Sequence, residues 1–199
     1  MSARPVTSVQ TLTSAQTIGP FYGPALLRAD AHFPVLAGPG VAGERVRIEG
    51  RVLDGDGAPV PDALIELWQA NAHGRYNHPS DDRDLPLDPS FTGYGRTGAE
   101  EDGSYWFETI KPGRVPGPSG ALQAPHVVVT LFARGLTNHV VTRLYFADDP
   151  ANGEDPILAR VPATRRGTLL AQPTERNGRR VYRFDVVLQG EDETVFFNL

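Results

Sequence analysis

Glycine and proline punctuate this chain at short intervals, with 21 Gly and 18 Pro among 199 residues. That spacing suits many short strands joined by turns and leaves little room for long helices. Between the breaks the pattern has a period of two. In Glu44–Leu53, Val46, Ile48 and Val52 fall on one face, and Arg45, Arg47, Glu49 and Arg51 on the other. Asp54-Gly-Asp-Gly57 is a turn sequence that tolerates positive φ, and Ala63–Ala70 is a nearly continuous apolar run, so the two runs are expected to form a hairpin. Ser104–Ile110 alternates as a strand. His126–Arg134 and His139–Phe146 read as a strand pair turned at Gly135–Asn138, and Val181–Leu188 places Tyr182, Phe184, Val186 and Leu188 on one face. Short helices are expected near Pro24–Ala31 and Thr164–Ala171. The expected fold is an all-β sandwich of about eight short strands. Residues 1–43 form an extended arm, 44–199 the sandwich, and 71–103 and 112–125 its long loops.

Composition narrows the function. Apolar residues make up 40% of the chain, enough for a sizeable core. Its 19 basic and 24 acidic residues leave a net charge of −5, against the cationic face that nucleic acid or an anionic membrane requires. No apolar run is long enough to span a bilayer. Met1–Ser14 lacks the basic-then-apolar pattern of a signal peptide, so a cytoplasmic location is expected. The absence of cysteine excludes disulfides, Fe–S clusters, thiolate zinc sites and cysteine nucleophiles. Lys111 is the sole candidate for Schiff-base chemistry.

The five histidines, His32, His73, His78, His126 and His139, fall in no helical metal-ligand spacing, and there is no nucleophile elbow or phosphate-binding glycine loop. His126 opens an apolar strand directly after the 112–125 loop. Alone it reads as a buried, hydrogen-bonded histidine or a metal ligand, and Tyr76 alone as a packing aromatic.

Read together, Leu64-Ile-Glu-Leu-Trp-Gln-Ala-Asn71, Gly74-Arg-Tyr76, Gly93-Tyr-Gly-Arg-Thr97, Thr109-Ile-Lys-Pro-Gly113, Ala124-Pro-His126, Thr142-Arg-Leu-Tyr-Phe146 and Tyr182-Arg-Phe-Asp185 resemble the intradiol ring-cleavage dioxygenases, in one consistent order from about Ser14 to Leu199. The resemblance implies a β-sandwich and a non-haem Fe(III) held by two tyrosinates and two histidines, a hard ion on anionic oxygen donors. Gly74-Arg-Tyr76 matches the first tyrosine and His126 the first histidine. The second tyrosine falls at Val115, the second histidine at Val128, and an arginine three residues before the first histidine at Gln123. A valine has no lone pair, so this chain is expected to hold no iron.

Some members of the family pair a ligand-bearing β chain with a ligand-poor α chain. The ending Gln189–Leu199 and Leu131-Phe-Ala-Arg-Gly135 look like the latter. The resemblance implies a hetero-oligomer in which a homologous β subunit holds the Fe(III) and the complex opens 3,4-dihydroxybenzoate (protocatechuate) with O2. Thr17-Ile-Gly-Pro-Phe21 is similar to a motif that reaches into the partner's pocket, although Phe21 stands where tyrosine is common. Gly19 and Pro20 are therefore expected at the substrate as a tight backbone wall, and Arg134 as the guanidinium that meets its carboxylate. None of the chain's own residues is expected to be catalytic. Two alternatives stand beside this: a self-sufficient dioxygenase with a rearranged ligand set of Tyr76, His78 and His126, and a non-catalytic module, since Gly50–Asp54 and Ala58–Ala63 also resemble transthyretin-like sandwiches.

Overall fold

The computed structural model describes residues 14–17, 19, 22–117 and 120–198. Nine strands follow one short helix: α1 (Tyr22–Leu26), β1 (Arg45–Leu53), β2 (Leu64–Trp68), β3 (Tyr94–Gly98), β4 (Ser104–Ile110), β5 (His126–Phe132), β6 (Val140–Phe146), β7 (Leu170–Arg176), β8 (Arg179–Arg183) and β9 (Val186–Val187). They form one continuous sheet in the order β3-β2-β5-β6-β7-β8-β1-β4, with β9 beside β1. The start of β7 pairs with β6 and its remainder with β8, so β7 carries the sheet from one layer into the other. The two layers pack through a shared core. Ile65, Leu67, Val127, Val129, Leu131, Leu144 and Phe146 from one layer meet Val46, Ile48, Phe107, Tyr182 and Phe184 from the other. This is the expected sandwich.

The arm's later residues close the two free edges of the sheet. Phe33 exchanges backbone hydrogen bonds with Arg96 on β3, while Glu108 on β4 donates to Pro34 and Leu36 donates back to it. A bare edge is a template for unwanted pairing, and one segment covers both. Leu36, Ala37 and Val41 then join the core. The short helix expected near 24–31 is the single turn α1, which starts two residues earlier.

Four expectations require correction, the first being the loop over 71–103, which contains strand β3. The Asp54–Gly57 turn forms, with Asp54 Oδ1 accepting from the Asp56 and Ala58 amides, yet β1 and β2 are not a hairpin. β1 pairs with β4, β8 and β9, and β2 with β3 and β5, so the chain crosses between layers after the turn. The predicted strand 181–188 is broken at Phe184–Asp185. There the Phe184 carbonyl passes so close to Gly50 that a Cβ on that glycine would lie 1.8 Å from it, and the buried Tyr105 hydroxyl donates to the same carbonyl at 2.6 Å. The helix predicted over 164–171 is a 3-10 turn, Arg166–Leu169, that runs directly into β7. The paired strands β5 and β6 are as expected, turned where predicted.

Candidate functional site at two ends of strand β5

The first candidate region lies at the start of β5. Buried Gln69 and Asn71, which follow β2, build its walls. Gln69 Nε2 donates to the Ile110 carbonyl at 2.9 Å, and Asn71 Oδ1 accepts from the amides of His73 and Arg75. Gly74 lies at φ 77°, and a Cβ there would come within 2.1 Å of the Arg114 carbonyl. This close approach of the Gly74-Arg-Tyr76 and Lys111-Pro-Gly113 segments brings Tyr76 and Val115 into one open cleft of about 540 Å³, lined also by Trp68, His78, Arg83 and Pro116. Tyr76 stacks on Trp68 with ring centroids 5.7 Å apart, and burial raises its phenol pKa above the usual value. Its loop is held by Asp81, which accepts from the Tyr76 amide at 2.8 Å and from the Arg83 guanidinium; that ion pair lowers the carboxyl pKa to about 2.

His126 is buried and its Nδ1 lies 2.8 Å from the Ala124 carbonyl. A carbonyl can only accept, so Nδ1 carries the proton and Nε2 the lone pair. Burial lowers its pKa to about 4, keeping the ring neutral. Val128 pairs with Trp68 on one side and Arg143 on the other. Arg143 is the residue that sequence reading missed. Its Nη1 donates at 2.5 Å to Oε1 of Gln123, which is itself buried and donates to the Pro116 carbonyl. The charge of Arg143 acts on Tyr76, His126 and Tyr145 alike. A guanidinium from β6 thus reaches the side chain of Gln123, the position at which the resemblance placed an arginine. The register opposite Val128 was the signal, and a single strand's pattern does not contain it.

The second region lies at the other end of β5, roughly 25 Å away at the rise of an extended chain. Thr17 Oγ1 accepts from the Gly135 amide at 3.1 Å and from the Gly19 amide at 3.5 Å, so Thr17 ties the segment of Gly19 to the residue that follows Arg134. Gly19 lies at φ 69°, a conformation that suits glycine. Arg134 Nε donates to Asp62 Oδ2, and the Tyr22 hydroxyl donates to the Asp62 carbonyl. Pro20 lies outside the described residues. Lys111 is committed to Asp149 at 2.9 Å.

A family model described as a dioxygenase matches residues 18–190. The chain is 42% identical over 198 residues to the protocatechuate 3,4-dioxygenase alpha chain of Burkholderia cepacia, covering 94% of this chain and 97% of that one. It is also 42% identical to the beta chain from the same organism, over 158 residues, 76% of this chain and 67% of that one. Among solved structures, the dioxygenase domain of a dioxygenase–carbohydrate-binding fusion from Streptomyces sp. SirexAA-E superposes with a TM-score of 0.62 at 26% identity, covering 80% of this chain and 88% of that one. This chain belongs to the intradiol ring-cleaving dioxygenase family. That family acts on catechols and uses ferric iron. At the positions where the resemblance places the ligands, the residues do not fit that ion: Val115 and Val128 offer no donor, and the cation of Arg143 stands opposite Val128. Among the described residues no three His, Cys, Asp or Glu side chains are grouped to hold a metal, and no helix is long and apolar enough to cross a membrane.

Proposed function

We propose that this chain is the α subunit of a heteromeric protocatechuate 3,4-dioxygenase. The assembled enzyme opens 3,4-dihydroxybenzoate between its two hydroxylated carbons, adding both atoms of O2 to give 3-carboxy-cis,cis-muconate. A homologous β subunit holds the Fe(III), and this chain, which lacks a fitting ligand set, caps the substrate pocket with residues 1–43 at the interface. Gly19 and Pro20 form the backbone wall, and Arg134 meets the substrate carboxylate with charge-assisted, planar hydrogen bonds.

The observation that carries this reading is the near end-to-end similarity to an alpha chain combined with valine at two ligand positions. Two features support the capping role. Thr17 links the segment of Gly19 to Gly135, the residue after Arg134, and that corner lies at the far end of β5 from this chain's own ligand-like residues. A rearranged site of Tyr76, His78 and His126 gains no support, because Arg143 adds a positive charge beside it.

The test is iron content and oxygen uptake with 3,4-dihydroxybenzoate, for the chain alone and co-expressed with a homologue bearing both tyrosines and both histidines. The expected result is a colourless, inactive lone chain and a coloured, active complex. Stoichiometric ferric iron and turnover in the lone chain would overturn the reading.

A further inference from the structure

We propose that Asp62 is a positioning residue for substrate recognition, fixing the Arg134 guanidinium so that its outer edge faces a carboxylate; this rests on the substrate-contact reading of Arg134 above. The pairing is built into the sheet. Leu64 and Phe132 are register partners in the β2–β5 ladder. Asp62 lies two residues before the former and Arg134 two after the latter, so continuing the antiparallel register sets them across from each other. Asp62 Oδ2 takes the Nε hydrogen, and neither Nη has a hydrogen-bond partner among the described residues. A guanidinium held at Nε retains its two-nitrogen end, the edge that forms parallel hydrogen bonds with a carboxylate.

Asp62 also ties the corner to the arm. Its carbonyl accepts from the hydroxyl of Tyr22, which opens α1 three residues after Gly19 and also reaches the Phe132 carbonyl at 3.4 Å. One residue therefore sets both the guanidinium, through its side chain, and the segment that carries Gly19, through its backbone. The Arg134 side chain is 56% exposed, so the ion pair adds little to folding stability. Its effect lies in removing rotamer freedom from a long side chain before the ligand arrives.

The test uses the assembled enzyme with Asp62→Ala, Asp62→Asn and Arg134→Ala, checked for iron content and subunit ratio. Each is assayed on 3,4-dihydroxybenzoate and on catechol, which lacks the carboxylate. Asp62→Ala is expected to raise KM for the carboxylated substrate about fivefold at unchanged kcat and to leave catechol unaffected. Asp62→Asn keeps an acceptor for Nε and should lie nearer the parent. A purely structural role would move both substrates together. If Asp62 only competes with substrate for Arg134, KM falls, and either that or an unchanged KM overturns the proposal. An unchanged KM in Arg134→Ala removes Arg134 from the site and the positioning role with it. A raised KM there beside a parental Asp62→Ala removes the positioning role alone.

Discussion

Val128 and Arg143 face one another across the β5–β6 ladder, so the strand position at which the resemblance places a histidine ligand presents an isopropyl group beside a guanidinium. The pair is more than the loss of a ligand. Arg143 is anchored by Gln123, which in turn is tied to the loop carrying Val115. A cation thus occupies the neighbourhood of Tyr76 and His126, where it opposes a second positive charge; the raised pKa of the Tyr76 phenol comes from burial, against which the Arg143 charge works.

Restoring the two missing donors is therefore expected to be insufficient. Val115→Tyr with Val128→His should leave the lone chain colourless and nearly iron-free, whereas adding Arg143→Met should raise its ferric content, read by elemental analysis and by tyrosinate-to-iron absorption. Full iron loading of the double variant would show that Arg143 plays no part in excluding the metal.

His126 links this region to pH. Burial lowers its pKa from 6.5 to about 4, so between those values the unfolded chain takes up a proton that the folded one refuses. Its contribution to stability is complete above pH 6.5 and is lost progressively as pH falls toward 4, about 3 kcal/mol in all. Denaturation midpoints measured across that window should fall with acid in the parent and much less steeply in His126→Asn. Asp81 acts in a lower window. Its carboxyl is held at about 2, so the stability it lends is present above pH 3.8 and disappears as pH falls toward 2.

The Asp81–Arg83 fork should matter most for the loop it closes. Asp81 fastens the Tyr76 amide, and Arg83 Nη2 donates to the Gly74 carbonyl at 2.7 Å. Asp81→Ala leaves the guanidinium without its bidentate partner, at an expected cost of about 1–2 kcal/mol, because a charge-assisted and largely buried pair is removed. Limited proteolysis should then cut within residues 74–91 at protease concentrations that spare the parent.

What the sequence shows of this fold follows from where the information resides. β4 alternates because it has one face on the core, and residue spacing alone reveals that, while β5 and β6 show as β-branched, apolar runs on either side of a turn. β3 was hidden because Gly95 and Gly98 give it little strand character. Both are glycine for a reason outside the strand: a Cβ at either would strike Leu36 or Leu27 of the arm at 2.5 and 2.6 Å. The hairpin reading of β1 and β2 failed because a turn sequence fixes the turn and not the layer that the second strand joins. The same division holds at the site. Valine at a ligand position is a chemical fact visible in one letter, whereas Arg143 beside Val128 and Asp62 beside Arg134 depend on strand register and appear only once the sheet is assembled.

The break between β8 and β9 makes the last prediction. Gly50 and Tyr105 are register partners on β1 and β4, and both meet the Phe184 carbonyl, the glycine by leaving space and the tyrosine by donating to it. Gly50→Ala puts a methyl group inside the contact radius of a backbone oxygen that cannot rotate away. It should cost at least about 3 kcal/mol, the scale of overpacking in a rigid core. Tyr105→Phe keeps the ring and removes only the donor, so about 1–2 kcal/mol is expected. Urea unfolding of the two single variants and the double variant separates these effects. Once the alanine has displaced the Phe184 carbonyl, the tyrosine has no bond left to lose, and the double variant should be less destabilised than the sum of the singles. Strict additivity would mean that the carbonyl stays in place and that the alanine is accommodated by movement of β1 instead.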